Sequence, residues 1–176
     1  FKLDDYFADT SDKEILLKKQ YSLENLFIIG NVGRFVPSKN QKFTVDIFKE
    51  FLKKCPDSRL VFVGDGESFE DVKKYADESG AGDKIIFLGE RKDVPVWMKI
   101  FNVVVFTSEY EGLGNVAIEA QAAGTPCICS TAVPKEVDMG IGIVSFLSNA
   151  EPVEKWCEKI HSFSALQCPS AEQIKG

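Results

Sequence analysis

A chain of 176 residues with 44% hydrophobic content is long enough to bury one core and leaves little length for a second, so a single domain is expected. The formal charge is −6, with 21 Lys and Arg against 27 Asp and Glu, and no basic run offers a face to nucleic acid, which argues against that partner. No run of about 18 apolar residues and no charged-then-apolar leader occurs, so no segment is expected to cross a membrane by itself.

The chain opens at Phe1 rather than an initiator methionine and closes on SFSALQCPSAEQIKG, so residues 1–176 read as a piece of a longer protein with a loose tail over 163–176. Five cysteines, Cys55, Cys127, Cys129, Cys157 and Cys168, lack C-x-x-C pairing and fit reduced thiols in a cytoplasm better than a disulfide framework. Cys127 and Cys129 are expected on one buried strand face, and Cys55, Cys157 and Cys168 as packing residues. There is no N-x-S/T acceptor.

In chain order, Ser11-x-x-Glu14 has capping-box spacing and predicts a helix running to Gln20. LFIIGNVG (26–33) is a compact apolar strand. From Gln41, the residues Phe43, Ile47, Phe48, Phe51 and Leu52 form the stripe of an amphipathic helix that ends before Pro56. RLVFVG (59–64) is a strand, Phe69 to Ser79 a helix, KIIFLG (84–89) a strand, Val94 to Ile100 a short helix, and VVVFT (103–107) a strand. A helix within the stretch 108–124 follows, with Asn115 as its expected N-cap. PCICS (126–130) and GIVSFL (142–147) are further strands, and a last helix runs from Pro152 to about Ser162. Short apolar runs without alternation, separated by helices, describe a parallel sheet covered on both faces: an α/β, Rossmann-like, doubly wound fold.

In such folds ligands collect outside the carboxyl ends of the strands. Four strand-exit loops qualify: GRFVPSKN (33–40), GDGES (64–68), GERKD (89–93) and SEYEGLGN (108–115). Arg34 and Lys39 combine a planar donor fork with a mobile point charge, which suits a diphosphate; the alternative is two solvated loop cations. Gly112 and Gly114 let the backbone approach a ligand, and the helix start behind them is a second anion site. Glu119, one turn inside that helix, could accept from a vicinal diol such as a ribose, or is a first-turn glutamate favoured by the helix dipole. Glu111 beside bound phosphate would be unfavourable unless it served a sugar hydroxyl or a developing positive charge; otherwise it is a surface residue.

Gly112-x-Gly114-x-x-Ala117 also matches the relaxed dinucleotide fingerprint, which would make this an NAD- or flavin-binding domain. That fingerprint belongs to the first strand–helix turn and wants an acidic residue about 20 positions on, and the next strand, leading into CICSTAVP, has none. His161 is the only histidine, so neither a Ser-His triad nor a histidine metal site can be assembled, and Asp65 reads as a turn residue.

Taken together the loops resemble the C-terminal, donor-binding half of a retaining GT-B glycosyltransferase of the glycosyl transferases group 1 family. The motifs that carry the resemblance are VGRFVPSKN, LVFVGDGES, IIFLGERKDVPVWM and the E-x7-E segment SEYEGLGNVAIEAQAAGTPCICS, in the family's order. FLGERKDVP and AIEAQAAGTP are similar to bacterial enzymes of capsular or exopolysaccharide synthesis. The resemblance implies that Arg34 and Lys39, next to Gly33, hold the donor diphosphate, probed most simply as UDP. It implies that Arg91 and the KDV after it, through Val94, contact the base, and that Glu119 holds the ribose. Glu111 would contact the donor sugar, with Gly112, Leu113, Gly114 and Asn115 presenting backbone to sugar and phosphate.

It also implies transfer with retention, no metal and no other cofactor, by attack of an acceptor hydroxyl beside the leaving diphosphate. The implied partners are a nucleotide-diphosphate sugar, an N-terminal domain absent from this chain, and a glycan or lipid-linked acceptor. The full-length enzyme is expected in the cytoplasm, at the inner face of the plasma membrane, and this chain alone is expected to turn over little. A non-catalytic nucleotide-binding module is the remaining alternative.

Overall fold

The computed structural model describes residues 4–164. Seven helices and six strands are described: α1 (Asp4–Phe7), α2 (Ser11–Gln20), β1 (Phe27–Val32), α3 (Gln41–Leu52), β2 (Ser58–Val63), α4 (Phe69–Glu78), β3 (Ile85–Phe87), α5 (Val94–Ile100), β4 (Val103–Phe106), α6 (Asn115–Ala122), β5 (Cys127–Ser130), β6 (Val144–Leu147) and α7 (Val153–Ser164). The strands form one sheet in the order β3-β2-β1-β4-β5-β6, and every pairing is parallel. This is the doubly wound arrangement expected from the sequence.

The non-alternating apolar runs follow from burial on both faces. Along β2, Leu60 and Phe62 enter one core with Ile29, Phe48 and Trp156, while Val61 and Val63 enter the other with Ile28, Trp97 and Phe106. Helices α3, α4 and α7 cover the first face, and α1, α2, α5 and α6 the second. Gly30 in β1 is where the Phe101 ring lies against the strand: an added β carbon would meet ring carbons at 2.1 Å.

Four local expectations change. Helix α1 was not legible in the sequence. The capping box at Ser11 and Glu14 does not form: the Asp9 carboxylate accepts from the Ser11 amide (3.0 Å) and hydroxyl (2.7 Å), which moves the N-cap position back to Thr10, whose hydroxyl bonds Glu14 at 2.6 Å. At α6 the N-cap position belongs to Gly114, in the left-handed region at φ 72°, so Asn115 is the first helical residue. A β carbon at Gly114 would crowd Val133 and Val137, at 2.9 and 3.1 Å. Finally, α7 continues to Ser164, two residues into the expected tail; the rest of that tail, and Cys168, lie outside the described residues.

Cys127 and Cys129 do share one buried face of β5, with their sulfurs 3.5 Å apart. Burial pushes the Cys157 thiol up to about 12, and it donates to the Ile47 carbonyl, as befits a packing residue. Among the described residues no helix is long and apolar enough to cross a membrane.

Candidate functional site

The chain order reverses direction at the β1–β4 pair: α3, after β1, covers one face of the sheet, and α6, after β4, covers the other. The exit loops 33–40 and 107–114 therefore lead to opposite faces of the sheet from adjacent strand ends, the place where such folds bind ligands.

Buried polar side chains hold those loops in place. The Asn31 amide donates to the Val105 carbonyl (2.8 Å) and to Thr44 (3.3 Å), tying β1 to β4. The Thr44 and Thr107 hydroxyls are 2.8 Å apart, Thr107 also donates to the Asn40 carbonyl at 3.0 Å, and the Glu109 amide bonds the Ser38 carbonyl at 2.7 Å. From the other side, Asn149 donates to the Thr107 carbonyl (2.9 Å) and Ser130 to that of Ser108. Sequence reasoning missed these residues. The signal that could have found them is a polar residue inside an apolar strand, such as Asn31, or at its last position, such as Thr107, because buried polar groups must find partners.

On this scaffold Lys39 and Glu111 meet directly as an ion pair, with side chains 22% and 9% exposed. The same Glu111 oxygen accepts from Ser108 at 2.6 Å, and the Lys39 ammonium sits over the Phe106 ring, 5.4 Å from its centre. Arg34 is exposed, and its backbone carbonyl accepts from the Gln41 side-chain amide at 3.0 Å. Arg34 and Lys39 thus share one loop, and the lysine's charge is neutralised by Glu111.

The first three loops are laced together through backbone. The Gly33 amide bonds Val63, the Phe35 amide bonds Asp65 at 2.9 Å, and the Gly64 amide bonds Gly89 at 2.8 Å. The Asp65 carboxylate closes its own turn on the Gly66 amide at 2.7 Å, as a turn residue does.

Arg91 faces inward to the scaffold. Its guanidinium forks onto Asp93 with bonds of 2.8 and 2.7 Å, hydrogen-bonds Tyr21, and lies 6.0 Å from the Trp97 ring centre. What loop 89–94 leaves to a ligand is thus backbone and its other side chains, of which Glu90 and Lys92 are exposed. The Arg91 fork holds the Asp93 carboxyl below the usual carboxylate range. Its stabilisation is present above the unfolded Asp value of about 4 and is lost as pH falls through the lower folded value. Arg91→Ala is expected to cost about 1 kcal/mol at neutral pH and less near pH 3, checked by urea unfolding at both.

Beside this loop lies a cavity of about 490 Å³, lined among others by Tyr6, Val32, Lys92, Val94, Val116 and Glu119. That volume is within the range of small-molecule sites. Burial pushes the Glu119 carboxyl up, and a hydrogen bond from Tyr6 pulls it partly back. Gly112 has open space around its missing side chain, and Tyr110 and Leu113 are exposed at the rim. Among the residues expected in a site, Lys39 and Glu111 touch, Gly33, Arg34, Gly112, Leu113, Gly114 and Asn115 flank them on adjoining loops, and Glu119 and Val94 share the cavity. The His161 ring packs tilted against that of Phe51, centres 4.8 Å apart, between α7 and α3 on the other face of the sheet. Among the described residues no group of three or more His, Cys, Asp or Glu converges as a metal site.

A family model described as Glycosyl transferases group 1 matches residues 12–171. Bacillus subtilis (strain 168) EpsF, named a glycosyltransferase, is 36% identical over 148 residues, which cover 84% of this chain and 38% of EpsF. The Vi polysaccharide biosynthesis protein VipC/TviE of Salmonella typhi is 41% identical over 104 residues, 59% of this chain and 18% of that protein. The crystal structure of Anabaena HepE in complex with UDP-glucose superposes with a TM-score of 0.84 at 24% identity, covering 99% of this chain and 48% of HepE, and at that identity shows the shared fold. The chain thus spans less than half the length of each of these proteins.

Proposed function

Because the chain belongs to the glycosyl transferases group 1 family, we propose that it is the donor-binding half of a retaining, metal-independent glycosyltransferase that takes its sugar from a UDP-sugar. The observation that carries this reading is that the loops after β1 and β4 bring a lysine–carboxylate pair together, while the end of β1 and the helix after β4 line a cavity of small-molecule size that holds Glu119. Lys39 and Arg34 would take the diphosphate and stabilise the charge that grows on it as the sugar departs, which is where electrostatic stabilisation lowers the barrier. Glu119 would accept from the ribose hydroxyls, and backbone of loop 89–94 would meet the base. Glu111, released from Lys39, would face the sugar. The Gly112–Asn115 turn presents amide donors at the start of α6, where no side chain caps them, to the phosphate or sugar oxygens.

The other half of the enzyme, a glycan or lipid-linked acceptor, a role in capsular or extracellular polysaccharide synthesis and a place at the cytoplasmic face of the membrane complete the proposal. They draw support from the likeness to EpsF and the Vi polysaccharide protein. The dinucleotide reading of Gly112-x-Gly114-x-x-Ala117 finds no support, since that turn follows β4 and not β1.

The test is a backbone-amide NMR titration with UDP, GDP and NAD in parallel. UDP is expected to shift Arg34, Lys92, Gly112, Gly114 and Glu119 together. Movement of those amides by NAD alone would overturn the assignment, and by GDP alone would overturn the choice of base.

A further inference from the structure

We infer that α1 completes the nucleoside side of the pocket and that Tyr6, by donating its hydroxyl to the Glu119 carboxylate, is a positioning residue that holds Glu119 for a vicinal diol. This rests on the donor reading above.

Helix α1 is four residues long and packs on α5 and α6. Asp4, Asp5 and Phe7 on it are exposed, whereas Tyr6 is 5% exposed and faces the cavity beside Glu119. A ring needed only to fill that contact would be better as phenylalanine, because a buried hydroxyl costs desolvation unless it is bonded. Here the bond goes to the one carboxylate in the cavity's α6 wall. A carboxylate offers about four lone-pair sites, so one taken by Tyr6 leaves enough for the two hydroxyls of a diol while fixing the plane of the group.

The same bond acts on charge. Desolvation disfavours ionised Glu119, and the Tyr6 hydroxyl opposes it. Among the described residues, the other charged groups lining the cavity are Asp5, from α1, and Lys92, from the loop before α5, beside apolar Val32, Val94, Pro95 and Val116. Removing the Tyr6 hydroxyl therefore raises the pH at which Glu119 takes up a proton, and a protonated carboxyl is the poorer diol acceptor.

The experiment is calorimetric titration of wild type, Tyr6→Phe, Glu119→Gln and the double variant with UDP and with inorganic pyrophosphate, from about pH 5 to about pH 8. Tyr6→Phe is expected to bind UDP about five- to tenfold more weakly near neutral pH, with the deficit widening as pH falls, and to bind pyrophosphate as wild type does. In the Glu119→Gln background Tyr6→Phe should cost nothing further. A deficit that is the same at every pH, or equal for pyrophosphate, would show mere packing and overturn the positioning role. A wild-type chain that does not bind UDP would overturn the donor reading itself, and this role with it.

Discussion

Gly64→Ala is expected to be among the most damaging single substitutions, costing about 2–4 kcal/mol of stability. Gly64 has φ 134°, a region that side-chain-bearing residues rarely adopt. An added β carbon would lie 2.0 Å from the Gly33 carbonyl oxygen and 2.9 Å from its carbonyl carbon. These are backbone atoms, so no side chain can rotate away. Moving Gly33 would strain its bond to Val63, and moving Gly64 would strain its bond to Gly89. One substitution thus loosens loops 33–40, 64–68 and 89–93 together, and UDP affinity should fall along with the urea midpoint. A midpoint within about 0.5 kcal/mol of wild type would mean that the three loops are not mechanically joined at this point.

The second large effect concerns the Lys39–Glu111 pair, where two substitutions are expected to act in opposite directions on ligand affinity. Lys39→Ala should weaken UDP and pyrophosphate binding by about 1.5–3 kcal/mol, the worth of a charge-assisted hydrogen bond. It should also destabilise the chain, since the Glu111 side chain, 9% exposed, would keep only Ser108 as a partner. Glu111→Gln keeps a side-chain acceptor for Ser108 but releases the ammonium from its counter-charge, so pyrophosphate should bind more tightly. In an enzyme assembled with its other half, the same change should reduce transfer, because the group assigned to the donor sugar has lost its charge. Calorimetry on the two variants separates these outcomes. Weaker pyrophosphate binding in both would show that the carboxylate supports the lysine's placement and does not compete with the ligand for it.

Most of the fold was legible because burial on both faces writes itself into the sequence as unbroken apolar runs, such as RLVFVG and VVVFT. Strand ends were read one or two residues long where a run led into a glycine loop, as KIIFLG did beyond Phe87. The order of strands was not legible, since no residue in β1 says that β4 will lie beside it. Helix α1 escaped because four residues, two of them acidic, carry no period, and the contact that gives Tyr6 its meaning is with Glu119, far along the chain. At α6, the rule that favours asparagine as an N-cap lost to a glycine required by Val133 and Val137, which come later in sequence. Residue types for a site were visible in the loops; the pairing of Lys39 with Glu111 and the turning of Arg91 onto Asp93 are three-dimensional facts. A charged residue near a strand exit announces chemistry without announcing whether the charge faces a ligand or a neighbour.

The β1–β4 pairing also bears on how the molecule is made. Ile29 lies opposite Val103, so the centre of the sheet closes only after more than seventy residues have been threaded between its two sides. The strands β1, β2 and β3 can assemble with their helices as soon as they are synthesised, leaving one edge of β1 bare until β4 arrives. Long-range parallel pairing of that kind is intrinsically slow, and the waiting edge is a template for wrong partners. The seam between β1 and β4, which has the largest sequence separation in the sheet, is therefore expected to be the slowest pairing to form and the place where delayed folding turns into aggregation.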